Sequence, residues 1–120
     1  MNVSIIYREN VKSVVLDDLA KGLPVIISEV LEVSGGNLAI LKPEQISLGF
    51  SPANVRDVGP DIRVMVFARS NYIRAKTENK RAKAILEKVI ELISRHNDDY
   101  SASVRLYLME IGVAEHSPGN

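Results

Sequence analysis

The spacing of hydrophobic residues changes twice along this chain, and both times in the same order. Alternate residues are apolar first, as in a half-buried strand; every third or fourth residue is apolar next, as on one face of a helix; alternation then returns. A strand, a helix and a second strand form the β-α-β unit, whose crossover makes its two strands parallel. Two such units within 120 residues restrict the possible folds more than any single residue does.

These patterns predict an α+β fold of order β-α-β-β-α-β, with a four-stranded sheet and two helices on one of its faces. The chain is long enough for one domain and too short for two, so we expect a single domain over residues 1–120, with halves at about 1–52 and 60–112. The predicted strands are 3–7, 46–51, 62–67 and 103–111, and the predicted helices are 13–33 and 79–96.

Both helices carry a continuous apolar stripe. In the first, Ser13 is a suitable N-cap, Pro24 is expected to kink or divide the helix, and Ser34-Gly35-Gly36-Asn37 is a stop signal. A short apolar stretch, Leu38–Leu41, follows it. The second helix is expected to bury one face, formed by Ala82, Ile85, Leu86, Val89, Leu92 and Ile93.

Composition excludes several classes of function. Fifteen basic residues balance fifteen acidic ones, so the chain has no net field to hold nucleic acid or an anionic membrane. No apolar run approaches the roughly 20 residues that span a bilayer, and no leader is visible. The chain has no cysteine, which is compatible with a reducing compartment, and we expect a cytoplasmic protein.

Neither metal nor cofactor is predicted. His96 and His116 lack the spacing of metal ligands, and His96 near a helix C-terminus is explained by the helix dipole. The glycine-rich Ser34–Asn37 follows a helix, whereas a phosphate-binding loop precedes one. The basic stretch from Arg69 to Lys83 is interpreted as a solvated loop and helix surface, with an anionic ligand or RNA as the alternative.

The strands predict a sheet face that no helix covers. Alternation gives this face both polar residues and a set of large apolar ones, namely Ile6, Met65, Phe67, Tyr107 and Met109. Five large apolar side chains on one open face have the composition of an interface. We therefore predict that the chain associates with itself.

The order of elements, the length and the internal repeat resemble those of the tautomerase superfamily, which includes 4-oxalocrotonate tautomerase, 5-carboxymethyl-2-hydroxymuconate isomerase and macrophage migration inhibitory factor. The clearest local likeness is Ser103-Val104-Arg105-Leu106-Tyr107-Leu108-Met109-Glu110. It is similar to the second strand of 4-oxalocrotonate tautomerase, which carries Ser-Val-Arg, apolar residues and then an acidic residue. The helix before it, Asn79–His96, also matches in length and placement.

The resemblance implies a homotrimer and a small carboxylate ligand. Active members use an N-terminal proline as general base, whereas here Met1 is followed by Asn2. Met removal requires a small second residue, so we expect Met1 to remain. Pro60, before the third strand, is an internal amide without a basic lone pair. The resemblance leaves Met1, Arg105 and Tyr107 as candidate site residues, with Arg105 matching a substrate-binding arginine or forming an interface salt bridge.

Two functions follow. In the first, the chain is a divergent protein of this kind that lacks the proline base and acts by binding or assembly instead of catalysis. In the second, it is a keto–enol tautomerase that uses the Met1 amine as base, since an ordinary α-amine has a pKa of about 7.7–8.0, and Arg105 as the anchor for a substrate carboxylate.

Overall fold

The secondary structure follows the order that the hydrophobic spacing predicts. The computed structural model describes residues 1–32, 42–96 and 99–119. The predicted stop at Ser34–Asn37 and the stretch Leu38–Leu41 lie outside the described residues. Along the chain the elements are β1 (Asn2–Tyr7), α1 (Ser13–Leu31), a 3₁₀ turn (Pro43–Gln45), β2 (Ser47–Pro52), β3 (Ile62–Arg69), α2 (Tyr72–Lys76), α3 (Glu78–Ser94) and β4 (Ala102–Met109).

The four strands form one mixed sheet in the order β2-β1-β3-β4. Strand β1 is parallel to β2, and β3 is parallel to β4, as two β-α-β crossovers require. The two units meet where β1 pairs antiparallel with β3, with Ser4 opposite Met65 and Asn2 opposite Phe67. The fold is therefore two similar halves joined through the middle of a common sheet.

The core lies between the sheet and the helices. Strands β1 and β3 point alternate residues into it, among them Val3, Ile5, Val64 and Val66, all at most 3% exposed. Helix α1 buries every fourth residue on one face, namely Val15, Leu19, Leu23, Ile27 and Leu31. Gly22 allows α1 to approach α3 closely, because a Cβ there would lie 2.8 Å from Leu92 Cδ1.

Helix α1 departs from its prediction in two details. Of the two effects predicted for Pro24, a kink or a division of the helix, the division does not occur, because the helix is continuous from Ser13 to Leu31. The free energy of burying a full apolar face outweighs the backbone hydrogen bond that proline removes. Ser13 is the first helical residue, whereas Lys12 is the N-cap and no side chain caps the helix there.

Helix α3 buries most of the stripe that the sequence predicts. Ile85, Val89, Leu92 and Ile93 are buried, whereas Ala82 and Leu86 are half-buried at its margin. The short helix α2, in a stretch that the sequence marks only as polar, is capped by Asn71, whose side-chain oxygen accepts the Arg74 N–H at 2.8 Å. A single turn is too short to show helical periodicity, so the pattern did not reveal it.

Candidate functional site

The helices leave one face of the sheet open, and the residues on it are those that strand alternation predicts. Ile6, Met65, Phe67 and Tyr107 are half-buried in the single chain, and Met109 is 38% exposed. Small polar residues share the face on β1 and β2, namely Ser4, Ser47, Gly49 and Ser51. The open face thus carries large apolar side chains and arginines on β3 and β4, and mostly small side chains on β1 and β2.

Two aromatic rings stack on each other on this face. Phe67 and Tyr107 lie opposite each other on β3 and β4, and their rings stack with centroids 5.0 Å apart and planes inclined by 10°. Beside them is a shallow hollow of about 450 Å³, lined by Asn2, Val3, Ser4, Ser47, Leu48, Gly49 and Phe67. We call the side chains of Met65, Phe67, Tyr107 and Met109 the ridge, and this depression the hollow.

The start of β1 positions two backbone nitrogens, the amine of Met1 and the amide nitrogen of Asn2. The Met1 amine donates toward the Gln45 carbonyl at 3.4 Å, and the Met1 carbonyl accepts the Ser47 N–H at 2.9 Å. The Met1 side chain packs against the core. The backbone N–H of Arg8 donates to the Asp61 carbonyl, just before β3. Because backbone N–H groups alternate between the two sides of a strand, the N–H of Asn2, six residues earlier, also points toward β3.

Arg105 and Tyr107 lie two residues apart on the same face of β4. Together with Glu78, Asn79, Ala82, Val104 and Leu106 they line a groove of about 320 Å³ between β4 and the first turns of α3. Arg105 is exposed, and it forms no ion pair or hydrogen bond with the described residues. This guanidinium is therefore free to bind a carboxylate.

Met1 and Arg105 do not meet within one chain. Arg105 is paired with Met65, which is paired with Ser4, so strand β3 separates it from β1. Two strand spacings place it about 10 Å away across the sheet, and three residues place it about 10 Å away along the strands. The backbones of Met1 and Arg105 are therefore about 14 Å apart within one chain.

Two other arginines of the open face hold the loop between β2 and β3. The Arg8 guanidinium donates to the carbonyls of Asp57, at 2.8 Å, and Gly59, at 3.2 Å. Arg63 forms an ion pair with Asp57. The Gly59 N–H, followed by Arg63, holds the pKa of the Asp57 carboxyl below its usual value. These arginines have structural partners, in contrast to Arg105.

Asp61 joins the starts of β3 and β4. Its carboxylate accepts the Ser101 N–H at 2.9 Å and the Asn10 amide at 3.2 Å, while the Ser101 hydroxyl accepts the Asp61 N–H at 2.9 Å. The Ser101 N–H is the main cause that lowers the pKa of the Asp61 carboxyl. The Ser101 hydroxyl in turn donates to the Asp61 carboxylate at 3.2 Å, and no imidazole of the described residues belongs to this cluster.

The basic stretch from Arg69 to Lys83 has a structural role that the sequence does not reveal. Arg74 is only 6% exposed, and it donates to the carbonyls of Leu31, at 3.1 Å, and Arg69, at 3.0 Å. Arg81 donates to the carbonyls of Val30 and Glu32. Both guanidinium groups thus satisfy the free carbonyls at the C-terminus of α1. Burial, and next the charge of Arg81, lowers the pKa of Arg74.

The histidines do not form a catalytic group with the candidate residues. His96 Nε2 lies 2.5 Å from Asp18 Oδ2, which joins the end of α3 to α1. From the sequence we interpreted His96 as a favourable contact with the helix dipole alone. Its partner Asp18 lies 78 residues away in the chain, so no local pattern predicts the contact. Within residues 1–32, 42–96 and 99–119, no three histidine or acidic side chains cluster as metal ligands, and no helix is long and apolar enough to cross a membrane.

Solved structures share this arrangement. A member of the cis-3-chloroacrylic acid dehalogenase family aligns over 91% of this chain and 75% of its own, with a TM-score of 0.66 and 11% sequence identity. A fused 4-OT, described as an asymmetric trimer, aligns over 98% and 95%, with a TM-score of 0.62 and 14% identity. A malonate semialdehyde decarboxylase aligns over 100% and 92%, with a TM-score of 0.58 and 10% identity.

The chain has the tautomerase fold. The resemblance that the sequence shows to this superfamily is thus confirmed at the level of fold. No family model and no curated protein matches the chain. The fold places the start of β1 beside the hollow and Arg105 beside the groove, but it does not by itself assign an activity to them.

Proposed function

We propose that this protein is a homotrimer of tautomerase fold that acts by binding or assembly instead of by isomerisation. The observation that carries the proposal is the start of β1. Met1 and Asn2 occupy it in place of proline, the Met1 amine donates toward the Gln45 carbonyl, and the Asn2 nitrogen is directed into the sheet. A general base needs a lone pair within hydrogen-bond reach of a substrate proton. The Asn2 nitrogen is an amide without a basic lone pair, and the Met1 amine is a primary amine that donates toward the Gln45 carbonyl.

The shape of the open face supports self-association. The ridge and the hollow lie side by side on the same face, and we propose that the ridge of one copy packs against the hollow of a second and leaves its own hollow for a third. Such head-to-tail contacts form a closed ring when the rotation between copies closes. Fused 4-OT structures of the same fold are described as trimers. Three copies are therefore the assembly that we propose.

A small carboxylate is the ligand that the chemistry of Arg105 favours. Its guanidinium is exposed and has no partner among the described residues, and the Asn79 side chain lines the same groove. Paired N–H donors of arginine match the two oxygens of a carboxylate. We place the protein in the cytoplasm, as the sequence predicts.

An activity assay tests the central claim. With phenylenolpyruvate as substrate, we expect no rate above buffer, because positioned acid–base catalysis is worth roughly 10²–10⁴-fold and its group is absent. Asn2→Pro should promote removal of Met1 and expose a secondary amine beside the hollow, so its rate should rise. The matched control is Asn2→Ala, which also favours removal of Met1 but exposes a primary amine.

The alternative function predicts the opposite result. If the unaltered protein isomerises the substrate at about 1–10³ per second, it is a keto–enol tautomerase, and the Met1 amine becomes the candidate base. Blocking that amine by acetylation should then abolish the rate. Arg105→Ala should raise KM if Arg105 anchors the substrate carboxylate.

A further inference from the structure

The groove between β4 and the first turns of α3 carries two opposite charges that do not contact each other. Arg105 lies on the β4 wall, and Glu78, the first residue of α3, lies on the opposite wall. Both side chains are exposed, and neither forms an ion pair or a hydrogen bond within the part of the chain that the structure describes. A direct ion pair needs its charged atoms within about 4 Å, so this guanidinium and this carboxylate are farther apart.

Other opposite charges of the described chain form contacts that hold the fold together. Arg63 pairs with Asp57 of the loop before β3, and His96 at the end of α3 meets Asp18 of α1. The Arg105 and Glu78 side chains join no segments in this way. A cation and an anion that share one groove without a structural partner are available to a ligand.

The two charges together restrict which ligand fits. A simple carboxylate on Arg105 is repelled by the carboxylate of Glu78, and a simple amine on Glu78 is repelled by the guanidinium of Arg105. A molecule with both a carboxylate and an ammonium group avoids both repulsions. An α-amino acid carries the two groups on one carbon atom, so it can bridge the two walls of the groove.

The remaining lining suits an amino acid with an apolar side chain. Val104 and Leu106 are half-buried, and the small Ala82 side chain leaves space beside them. The Asn79 amide can donate to a carboxylate or accept from an ammonium group, so it is compatible with either end of the ligand. The groove volume of about 320 Å³ lies within the range of small-molecule sites, roughly 300–1,000 Å³.

We propose that this groove binds an apolar α-amino acid, with its carboxylate on Arg105 and its ammonium group on Glu78. The inference rests on the proposed binding function and narrows its carboxylate ligand to a zwitterion. The guanidinium presents paired N–H donors to the two carboxylate oxygens, and the Glu78 carboxylate accepts from the ammonium group. The sequence alone gives Glu78 no role, because only the fold brings the first turn of α3 beside β4.

A titration with L-phenylalanine tests the proposal on the full chain. Amide chemical shifts of the isotope-labelled protein should change at residues 78–82 and 104–107, and stay constant at Ser4 and Gly49 in the hollow. Two matched ligands each lack one charge: 3-phenylpropionate has no ammonium group, and phenethylamine has no carboxylate. Each should bind about fivefold more weakly than L-phenylalanine, because it loses one charged contact and keeps one repulsion.

Substitutions at exposed positions assign the two contacts. Glu78→Gln keeps the size of the side chain but removes its charge, so the preference for L-phenylalanine over 3-phenylpropionate should disappear. Arg105→Gln should weaken the binding of both ligands. Glu87→Gln, at an exposed position of α3 outside the groove, is the control and should leave both affinities unchanged. Circular dichroism checks that each variant is folded, and the comparison of ligands on the unaltered protein needs no variant.

The outcomes separate this inference from the proposed function. If 3-phenylpropionate binds as tightly as L-phenylalanine, the amino-acid site is overturned and a simple carboxylate on Arg105 remains. If phenethylamine binds as tightly, or if no ligand at millimolar concentration shifts the groove residues, the carboxylate ligand is overturned as well. If the unaltered protein isomerises phenylenolpyruvate, the proposed function is overturned, and the amino-acid site still stands when the preference for L-phenylalanine is measured.

Discussion

Ile5 and Ile6 are adjacent in β1 and chemically identical, yet they belong to different surfaces. Ile5 is fully buried between the sheet and the helices, whereas Ile6 lies half-buried on the open face, opposite Arg63 and Ser51. The first surface is completed within one chain and determines the fold. The second is left incomplete, and its ridge and hollow are what a neighbouring copy would cover. The covered face thus forms the core of the single chain, whereas the open face is the surface on which we place the proposed assembly.

The two isoleucines offer the sharpest test of this contrast. Ile5→Ala should lower the free energy of unfolding by about 2–5 kcal/mol, because it leaves a cavity in the core. Ile6→Ala is the matched control: it should cost less in unfolding, and its effect should depend on protein concentration if the proposed assembly covers part of its surface. Urea denaturation at two protein concentrations measures both. Equal, concentration-independent losses would mean that the open face is ordinary core.

A charge on the ridge should act mainly on assembly. Phe67→Glu places a carboxylate between Asn2 and Tyr107, with no cation directly opposite on either neighbouring strand. If a second copy covers this position, burial of an unpaired charge should weaken association at least about tenfold, or ~1.4 kcal/mol. Sedimentation equilibrium measures the change, and Val55→Glu in the exposed loop is the control. Unchanged association would place the interface elsewhere.

The margin of the core should respond less than its centre. Leu86 belongs to the predicted apolar stripe of α3 but is only half-buried, so Leu86→Ala should cost about 1 kcal/mol, the typical loss for a point substitution. Ile85→Ala, one residue away and fully buried, should cost about 2–5 kcal/mol. Thermal unfolding of both variants compares them. A larger loss of stability in Leu86→Ala than in Ile85→Ala would mean that the helix turns Leu86, and not Ile85, toward the core.

The smallest expected change in stability concerns Asp61, at the start of β3. The pKa of Asp61 is lowered in the folded chain, so its contribution to stability is complete above the unfolded value of about 3.9 and is lost as the pH falls through the folded value. Asp61→Asn should therefore be less stable than the parent at pH 7, and the difference should shrink below about pH 4. Urea titrations across this range measure it. Asn10→Ala removes one donor to the carboxylate, and its stability at pH 7 should lie between that of the parent and that of Asp61→Asn.

The sequence predicted what depends on near neighbours and missed what depends on distant ones. Strand alternation revealed both faces of the sheet, since successive side chains of a strand must point to opposite sides. It could not reveal that Arg74 is buried against the end of α1, 43 residues earlier, or that His96 meets Asp18. Helix α2 was missed because its position depends on the Asn71 cap and on the buried Arg74. The same holds for the site, where Arg105 is recognisable in its strand but its separation from Met1 follows from the order of strands.

The arginines that donate to the last carbonyls of α1 also affect folding during synthesis of the chain. Residues 1–52 leave the ribosome first, but the carbonyls of Val30, Leu31 and Glu32 receive their donors from Arg74 and Arg81. At about 5–20 residues per second, the interval between synthesis of Leu31 and of Arg81 is roughly 2.5–10 s. During that time the helix is open to fraying and to chaperones. The N-terminal half is synthesised first, but the end of its helix is completed only after the second half has been made.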